Sequence, residues 1–262
     1  MDLRLNAKRA LVTGAAGGIG AATAERLAEE GARLFLTDVD EGALAGVRDR
    51  LGAEGEAADL STTEGAEALA RKAASGGAID IFVHAAGVTG AKGDPLAMTD
   101  ENWDHAWHTD FMSGVRLARV LGPKMVERGW GRMVFVTSEN AAQPYADETV
   151  YNVAKIGLAS FAKSISMQHA KAGLLANCVA PAFVETPMTD GMMEQKAEAQ
   201  GTGFDETVEG FLKEERPFLA LGRRGRPDEV APVIALLCSD LASYVVGANW
   251  RGDGGSVASI EL

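Results

Sequence analysis

Thr13-Gly14-Ala15-Ala16-Gly17-Gly18-Ile19-Gly20 lies between a short apolar run, Ala10–Thr13, and the segment Ile19–Glu30, which carries Ile19, Ala22, Leu27 and Ala28 on one helical side. The pattern is that of a strand turning tightly into a helix. Glycines at 14, 18 and 20 permit the turn, a close backbone approach and close helix–strand packing. The helix N-terminus then offers free N–H groups and a partial positive charge to a pyrophosphate. A glycine pattern alone also suits a purely structural turn, but the next strand candidate, Arg33–Asp38, ends on an acid 18 positions after Gly20. A carboxylate there accepts hydrogen bonds from ribose hydroxyls and repels a 2′-phosphate. No Lys or Arg occurs in the glycine loop or at Val39-Asp40, and Arg33 stands at the far end of its strand, so NAD is expected over NADP. Gly14, Gly18, Ile19, Gly20 and Asp38 are the first expected cofactor contacts.

The same alternation of strand and helix continues outward. Helices are expected at Gly42–Leu51, from a capping box at Ser61–Glu64 through Ala74, after a Thr99 cap, and at Phe111–Arg128, Val150–Ala172 and Pro227–Ser239. Strands are expected at Glu56–Asp59 (weak), Ile79–His84, Arg132–Thr137, Leu175–Ala180 and Asn249–Asp253. Such alternation predicts an α/β fold: one domain over residues 1–262, with a parallel sheet covered by helices on both faces. No repeat, low-complexity segment or dividing linker interrupts it.

Composition narrows the function. Of 262 residues, 25 are Lys or Arg and 37 are Asp or Glu, for a net charge of −12. That balance argues against nucleic acid, an anionic membrane surface or an acidic carrier protein as partner. Glycine, 31 residues in all, exceeds the usual share of ~7% without a Gly-X-Y period, as several tight turns require. Cys178 and Cys238 fall in apolar patterns and read as buried, reduced packing residues. With no signal-peptide pattern at the N-terminus and no run of 18 apolar residues, a cytoplasmic location is expected.

Tyr151-Asn152-Val153-Ala154-Lys155 opens the longest helix candidate, and its four-residue spacing puts the phenol and the ammonium on one face. For the phenol to act as general base at neutral pH, about 4 kcal/mol of preferential phenolate stabilisation is needed. Lys155 and a positive nicotinamide ring are the expected sources. Ser138, just past the preceding strand, stands where a hydroxyl can hold a substrate oxygen.

With these residues assembled, nearly the whole chain, from Leu5 to about Ser256, resembles the classical short-chain dehydrogenase/reductase family. The resemblance rests on TGAAGGIG, Asp59 in Ala-Asp-Leu, His84-Ala85-Ala86-Gly87, Ser138, Tyr151-Asn152-Val153-Ala154-Lys155 and Pro181–Thr186. It implies a doubly wound, Rossmann-like domain with a seven-stranded sheet, and a homotetramer or homodimer, the tetramer favoured. It also implies that Tyr151 is the acid/base, that Ser138 orients the carbonyl or alcohol, and that Lys155 holds the nicotinamide ribose and lowers the tyrosine pKa. Asp59 and Leu60 would contact adenine, Ala85, Ala86 and Gly87 the ribose side, and Val184 and Thr186 the carboxamide and phosphates. Pro181 is also counted among the cofactor-binding residues.

Three departures stand out. His84-Ala85-Ala86-Gly87 replaces Asn-Asn-Ala-Gly, and His84 reads as a satisfied core residue. Asp110 occupies the fourth catalytic position, usually Asn, where it could keep a backbone role or could pair with Lys155 and change its proton affinity. Ala182 follows Pro181 where Gly is common.

Among the remaining polar residues, His105 and His108 lack a third ligand, so no metal is expected. Trp103 and Trp107 read as one packed face. Glu139, Asn140 and Gln143 are candidate pocket contacts. Residues 187–220 read as a substrate lid of amphipathic helices, better matched to an uncharged substrate than to an anion. The expected activity is NAD-dependent interconversion of a small secondary alcohol and its ketone. Two alternatives accompany it. One is a 3-oxoacyl thioester reductase docking through Arg223, Arg224 and Arg226; the other is a non-catalytic dinucleotide-binding regulator.

Overall fold

The central strands carry apolar side chains on both faces because helices cover both sides of the sheet, and successive side chains go to opposite sides. In a computed structural model describing residues 2–260, Ala10 and Val12 of β1 (Arg9–Thr13) enter one core and Leu11 the other. Met1, Glu261 and Leu262, which the expected domain includes, lie outside the described residues. The split repeats in β2 (Arg33–Thr37), β4 (Ile81–His84) and β5 (Gly131–Val136), where Phe35, Phe82 and Phe135 all share the Leu11 side. On that side lie α3 (Thr63–Ser75), α5 (Ser113–Glu127) and α6 (Thr149–His169), through Leu69, Leu117 and Leu158. The Val12 side takes α1 (Gly18–Glu29), α2 (Glu41–Leu51) and α9 (Pro227–Leu237), through Leu27, Leu44 and Ile234.

With β3 (Glu54–Gly55), β6 (Leu174–Pro181) and β7 (Asn249–Gly252), the strands form one seven-stranded parallel sheet in the order β3-β2-β1-β4-β5-β6-β7. The chain winds outward from β1 to β3, then crosses back to place β4 on the other side of β1. A crevice opens there, at the carboxyl ends of β1 and β4.

Most elements begin and end within two residues of their expected positions, and the differences have physical causes. The third strand lies at Glu54–Gly55 rather than Glu56–Asp59, pairing with Phe35 and Leu36. Beyond Gly55 the chain keeps two bonds to the β2 end, Glu56 N to Leu36 O and Ala58 N to Asp38 O, while it turns toward the crevice. The cap of α3 is Thr62, not Ser61: its Oγ1 accepts from Gly65 N at 3.1 Å. Phe111–Arg128 is not a separate helix. A short helix, α4 (Asp100–Ala106), capped by Thr99 as expected, runs through a π-helical turn at Trp107–Met112 into α5. The extra residue of such a turn rotates the helix beyond it, and turns of this kind concentrate at functional sites. Residues 187–220 contain two helices, α7 (Pro187–Gln200) and α8 (Phe204–Glu215), which pack Met193 and Phe211 against Phe183 in a small separate core.

Candidate active site

A cleft of about 660 Å³ runs across the crevice, and its size is that of a cofactor site. Its floor begins at the glycine turn. Gly14 has φ +64, and a side chain there would stand 2.8 Å from the backbone of Ala85 and Ala86; one at Gly20 would meet Gly14 O at 2.0 Å. The turn can therefore close only with glycine at both places. Gly17 caps α1 without any side-chain acceptor, so the first-turn N–H groups point into the cleft unclaimed by protein side chains. A pyrophosphate suits that cradle, and the residues present fit a dinucleotide.

At one end of the cleft lie Asp38, Asp59 and Leu60. The Asp38 carboxylate accepts from Ala16 N at 3.0 Å, Val39 N at 2.7 Å and Asp40 N at 3.2 Å, which fixes its orientation just past β2. Hydrogen bonds from Ser61, with help from the Arg116 charge, hold Asp59 below the usual carboxylate range. Ala85, Ala86, Gly87, Pro181, Val184 and Thr186 continue the lining, together with Gly14, Gly18, Ile19 and Gly20. Among the described residues of this lining, Lys155 is the one lysine or arginine.

Ser138, Tyr151 and Lys155 meet at the other end. Lys155 is buried, donates to Val136 O at 3.2 Å, and stands 5.3 Å from the centre of the Tyr151 ring. Burial pulls the ammonium below the usual lysine value, and the Asp110 charge opposes that pull. The phenol goes the other way from expectation. Burial first, then the Asp110 charge, drive the Tyr151 hydroxyl well above the usual tyrosine value, with Ser138 the main opposing influence.

Asp110 sits in the π-helical turn and is fully buried. It makes no ion pair with Lys155: Oδ1 accepts from Val88 N at 2.6 Å, and Oδ2 has no partner. Burial raises its carboxyl to about 6 against the pull of Lys155. His84 is a satisfied core residue. Its Nε2 donates to the Asp110 carbonyl at 3.1 Å, which can only accept, so Nδ1 is the acceptor for Thr13 Oγ1 at 3.1 Å. Burial lowers its pKa to about 4. Thr13 Oγ1 in turn accepts from Ala85 N and Ala86 N, so the histidine braces β1 against β4 where the resembled pattern carries Asn-Asn.

Glu139, Asn140 and Gln143 do not line the cleft but form the wall behind Ser138. Arg216, at the end of α8, is buried over the Tyr145 ring at 3.6 Å; its Nε donates to Glu139 Oε1 at 3.1 Å and its Nη2 to Glu148 Oε1 at 3.2 Å. Burial pushes Glu139 up, whereas Lys92 and Arg216 bring Glu148 down. Gln143 ties down the C-terminal segment through Ser256 O and Ala258 N. Sequence reading missed Arg216, Glu148 and Lys92, which carry no local motif. It also missed His105 and Thr109 in the lining; His108 is instead engaged by Arg116 Nη2 at 2.8 Å.

Comparison with known proteins then decides the family. A family model described as "Enoyl-(Acyl carrier protein) reductase", a short-chain dehydrogenase/reductase model, matches residues 14–257. The chain belongs to the short-chain dehydrogenase/reductase family. That family is one of NAD(P)-dependent oxidoreductases. The 3-oxoacyl-[acyl-carrier-protein] reductase of Escherichia coli (strain K12) is 33% identical over 256 residues, 97% of this chain and 98% of that one. The D-beta-hydroxybutyrate dehydrogenase of Cupriavidus necator is 33% identical over 265 residues, 97% of this chain and 99% of that one. Among solved structures, L-sorbose reductase from Gluconobacter frateurii complexed with NADPH and L-sorbose superposes with a TM-score of 0.90 at 31% identity, covering 99% of this chain and 100% of that one. This member of the short-chain dehydrogenase/reductase family thus matches reductases and dehydrogenases of several substrates over 97–99% of its length.

Proposed function

We propose that the protein oxidises a small secondary alcohol to its ketone with NAD. The convergence of Ser138, Tyr151 and Lys155 at one end of a dinucleotide-sized cleft carries this reading. Bound there, the nicotinamide would take the hydride from the carbinol carbon. Tyr151 removes the hydroxyl proton, Ser138 holds the oxygen, and Lys155 supplies positive charge beneath the phenol ring. Asp110 holds the backbone of Val88 at the rim. Asp38 supports NAD over NADP: its bonded carboxylate faces the cleft with Asp40 and Asp59 nearby and no cation to receive a 2′-phosphate.

Residues 187–220 act as the lid of a single domain. A homotetramer in the cytoplasm completes the proposal, supported by exposed Ile156 and Met167 on α6 and Tyr244 before β7, and by two free buried cysteines. No described helix is long and apolar enough to cross a membrane.

The resemblance to a carrier-linked reductase favours a second reading, reduction of a 3-oxoacyl thioester. Against it, the three arginines that would dock an acidic carrier are each paired with an acid: Arg223 with Glu229, Arg224 with Asp190 and Arg226 with Asp228. The deciding experiment measures NADH formation over a panel of secondary alcohols, and NADPH consumption with 3-oxoacyl thioesters, each beside Tyr151→Phe. Turnover of one alcohol class, lost in the variant, is expected. A marked preference for NADPH in binding titrations overturns the cofactor assignment. Tight NAD binding with no turnover at all points to the regulator.

A further inference from the structure

The orientation of the Ser138 hydroxyl is decided several residues away, and every link can be read from groups that can only donate or only accept. Tyr145 O is a carbonyl, so the Asn152 atom 2.7 Å from it is the amide nitrogen, and Asn152 Oδ1 faces the other way. That oxygen lies 2.8 Å from Asn140, and Glu148 Oε2 lies 2.6 Å from the same Asn140 atom. Two acceptors on one atom make it Nδ2. Asn140 Oδ1 therefore faces Ser138, and at 2.9 Å it accepts the Ser138 hydroxyl proton. The main-chain N–H of Asn140 also donates to Ser138 Oγ at 3.2 Å. The hydroxyl is held from both sides by one residue. Ser138, Asn140 and Glu148 are all buried, so water does not compete for these bonds.

Resting on the proposed dehydrogenase reading, we propose that Asn140 is a positioning residue that fixes the rotamer of Ser138, with Glu148 and Asn152 setting the direction of its amide. The substrate oxygen then meets a hydroxyl already in place, whose proton turns from Asn140 to the substrate. Glu148 also accepts from Lys92 Nζ at 2.7 Å and from Arg216 on the lid, so the group that orients Asn140 is itself anchored on both sides.

The test is a double-mutant cycle. Asn140→Ala is expected to lower kcat about 10- to 100-fold, the scale of a misplaced catalytic group, with KM little changed and NAD affinity intact. In a Ser138→Ala background the same substitution is expected to lower kcat no further. Equal losses in both backgrounds overturn the proposal, because a general packing defect acts whether or not the serine is present. A crystal structure of the Asn140→Ala protein tests the same point without any substrate. Ser138 Oγ spread over more than one rotamer supports the proposal, and an unchanged single rotamer overturns it even if the dehydrogenase assignment itself has failed.

Should the alanine variant not fold, Asn140→Asp keeps the shape. Its outer oxygen must then carry a proton to face Glu148, amid Glu139, Arg216, Lys92, Tyr145 and Tyr151. The expected result is a kcat deficit that deepens as pH rises and is absent in the Ser138→Ala background. A deficit independent of pH and additive with Ser138→Ala overturns the assignment.

Discussion

Asp110 and His84 are hydrogen-bonded, buried, and shifted in opposite senses, so they oppose each other in the pH dependence of stability. His84 is depressed from 6.5 to about 4; its neutral form is fully favourable above pH 6.5, and stability is lost as pH falls toward 4. Asp110 is raised from 3.8 to about 6; burying its charge costs nothing at low pH, and stability is lost as pH climbs through 6. Each effect is on the order of 3 kcal/mol, and their windows overlap. Asp110→Asn is therefore expected to stabilise the fold by that order above pH 6, with the gain shrinking toward pH 4. Urea unfolding of both proteins from pH 4 to 8 measures it; a pH-independent difference would contradict the burial of charge. At this scale the sequence was a partial guide. Ser138, Tyr151, Lys155 and Asp38 announce themselves by spacing, since each sits at a strand end or one helical turn from its neighbour. Arg216 does not, because its partners lie 77 and 68 positions away.

Element boundaries turned on contacts that a local pattern does not contain. Ser61 and Glu64 satisfy the spacing of a capping box, yet Thr62 is the cap, because Gly65 must pass so close to Asp59 O that a side chain there would stand 2.1 Å from it. Thr62→Ala is expected to cost about 1 kcal/mol in denaturant unfolding and Ser61→Ala only a few tenths. The π-helical turn left no signature in the Trp103–Phe111 stretch beyond apolar spacing; the Trp107 and Phe111 rings, 4.3 Å apart, pack as an ordinary helix face would. That residues 187–220 are helical was legible, but not how they are fastened. Arg216→Met removes the cation between Glu139 and Glu148. The expected loss of stability is about 3 kcal/mol, with substrate KM raised and NAD affinity retained, as paired unfolding and kinetic measurements would report.

For the whole molecule, the strand–helix rhythm was enough to give a parallel sheet covered on both faces, because continuous apolar runs have no other stable burial. The number of strands and the double winding came with the family resemblance and not from periodicity, and the strand order came only with the structure. Net charge acts at this scale too. A protein of charge −12 repels an anionic dinucleotide at long range, so NAD association is expected to speed up as salt rises from low ionic strength, measurable by stopped-flow fluorescence. A rate that falls with salt would mean that the local field of the α1 N-terminus and Lys155 outweighs the global one. Arg216 has a consequence for how such a protein changes over generations. It joins the cover of the pocket to the segment that follows Ser138, so the two are inherited as a unit. A 187–220 segment transplanted from a relative that lacks this arginine is expected to strand the buried Glu139 carboxylate and fail, whereas one that carries it is expected to be accepted. Substrate range in such a lineage is then expected to drift by paired steps, the second substitution waiting on the first.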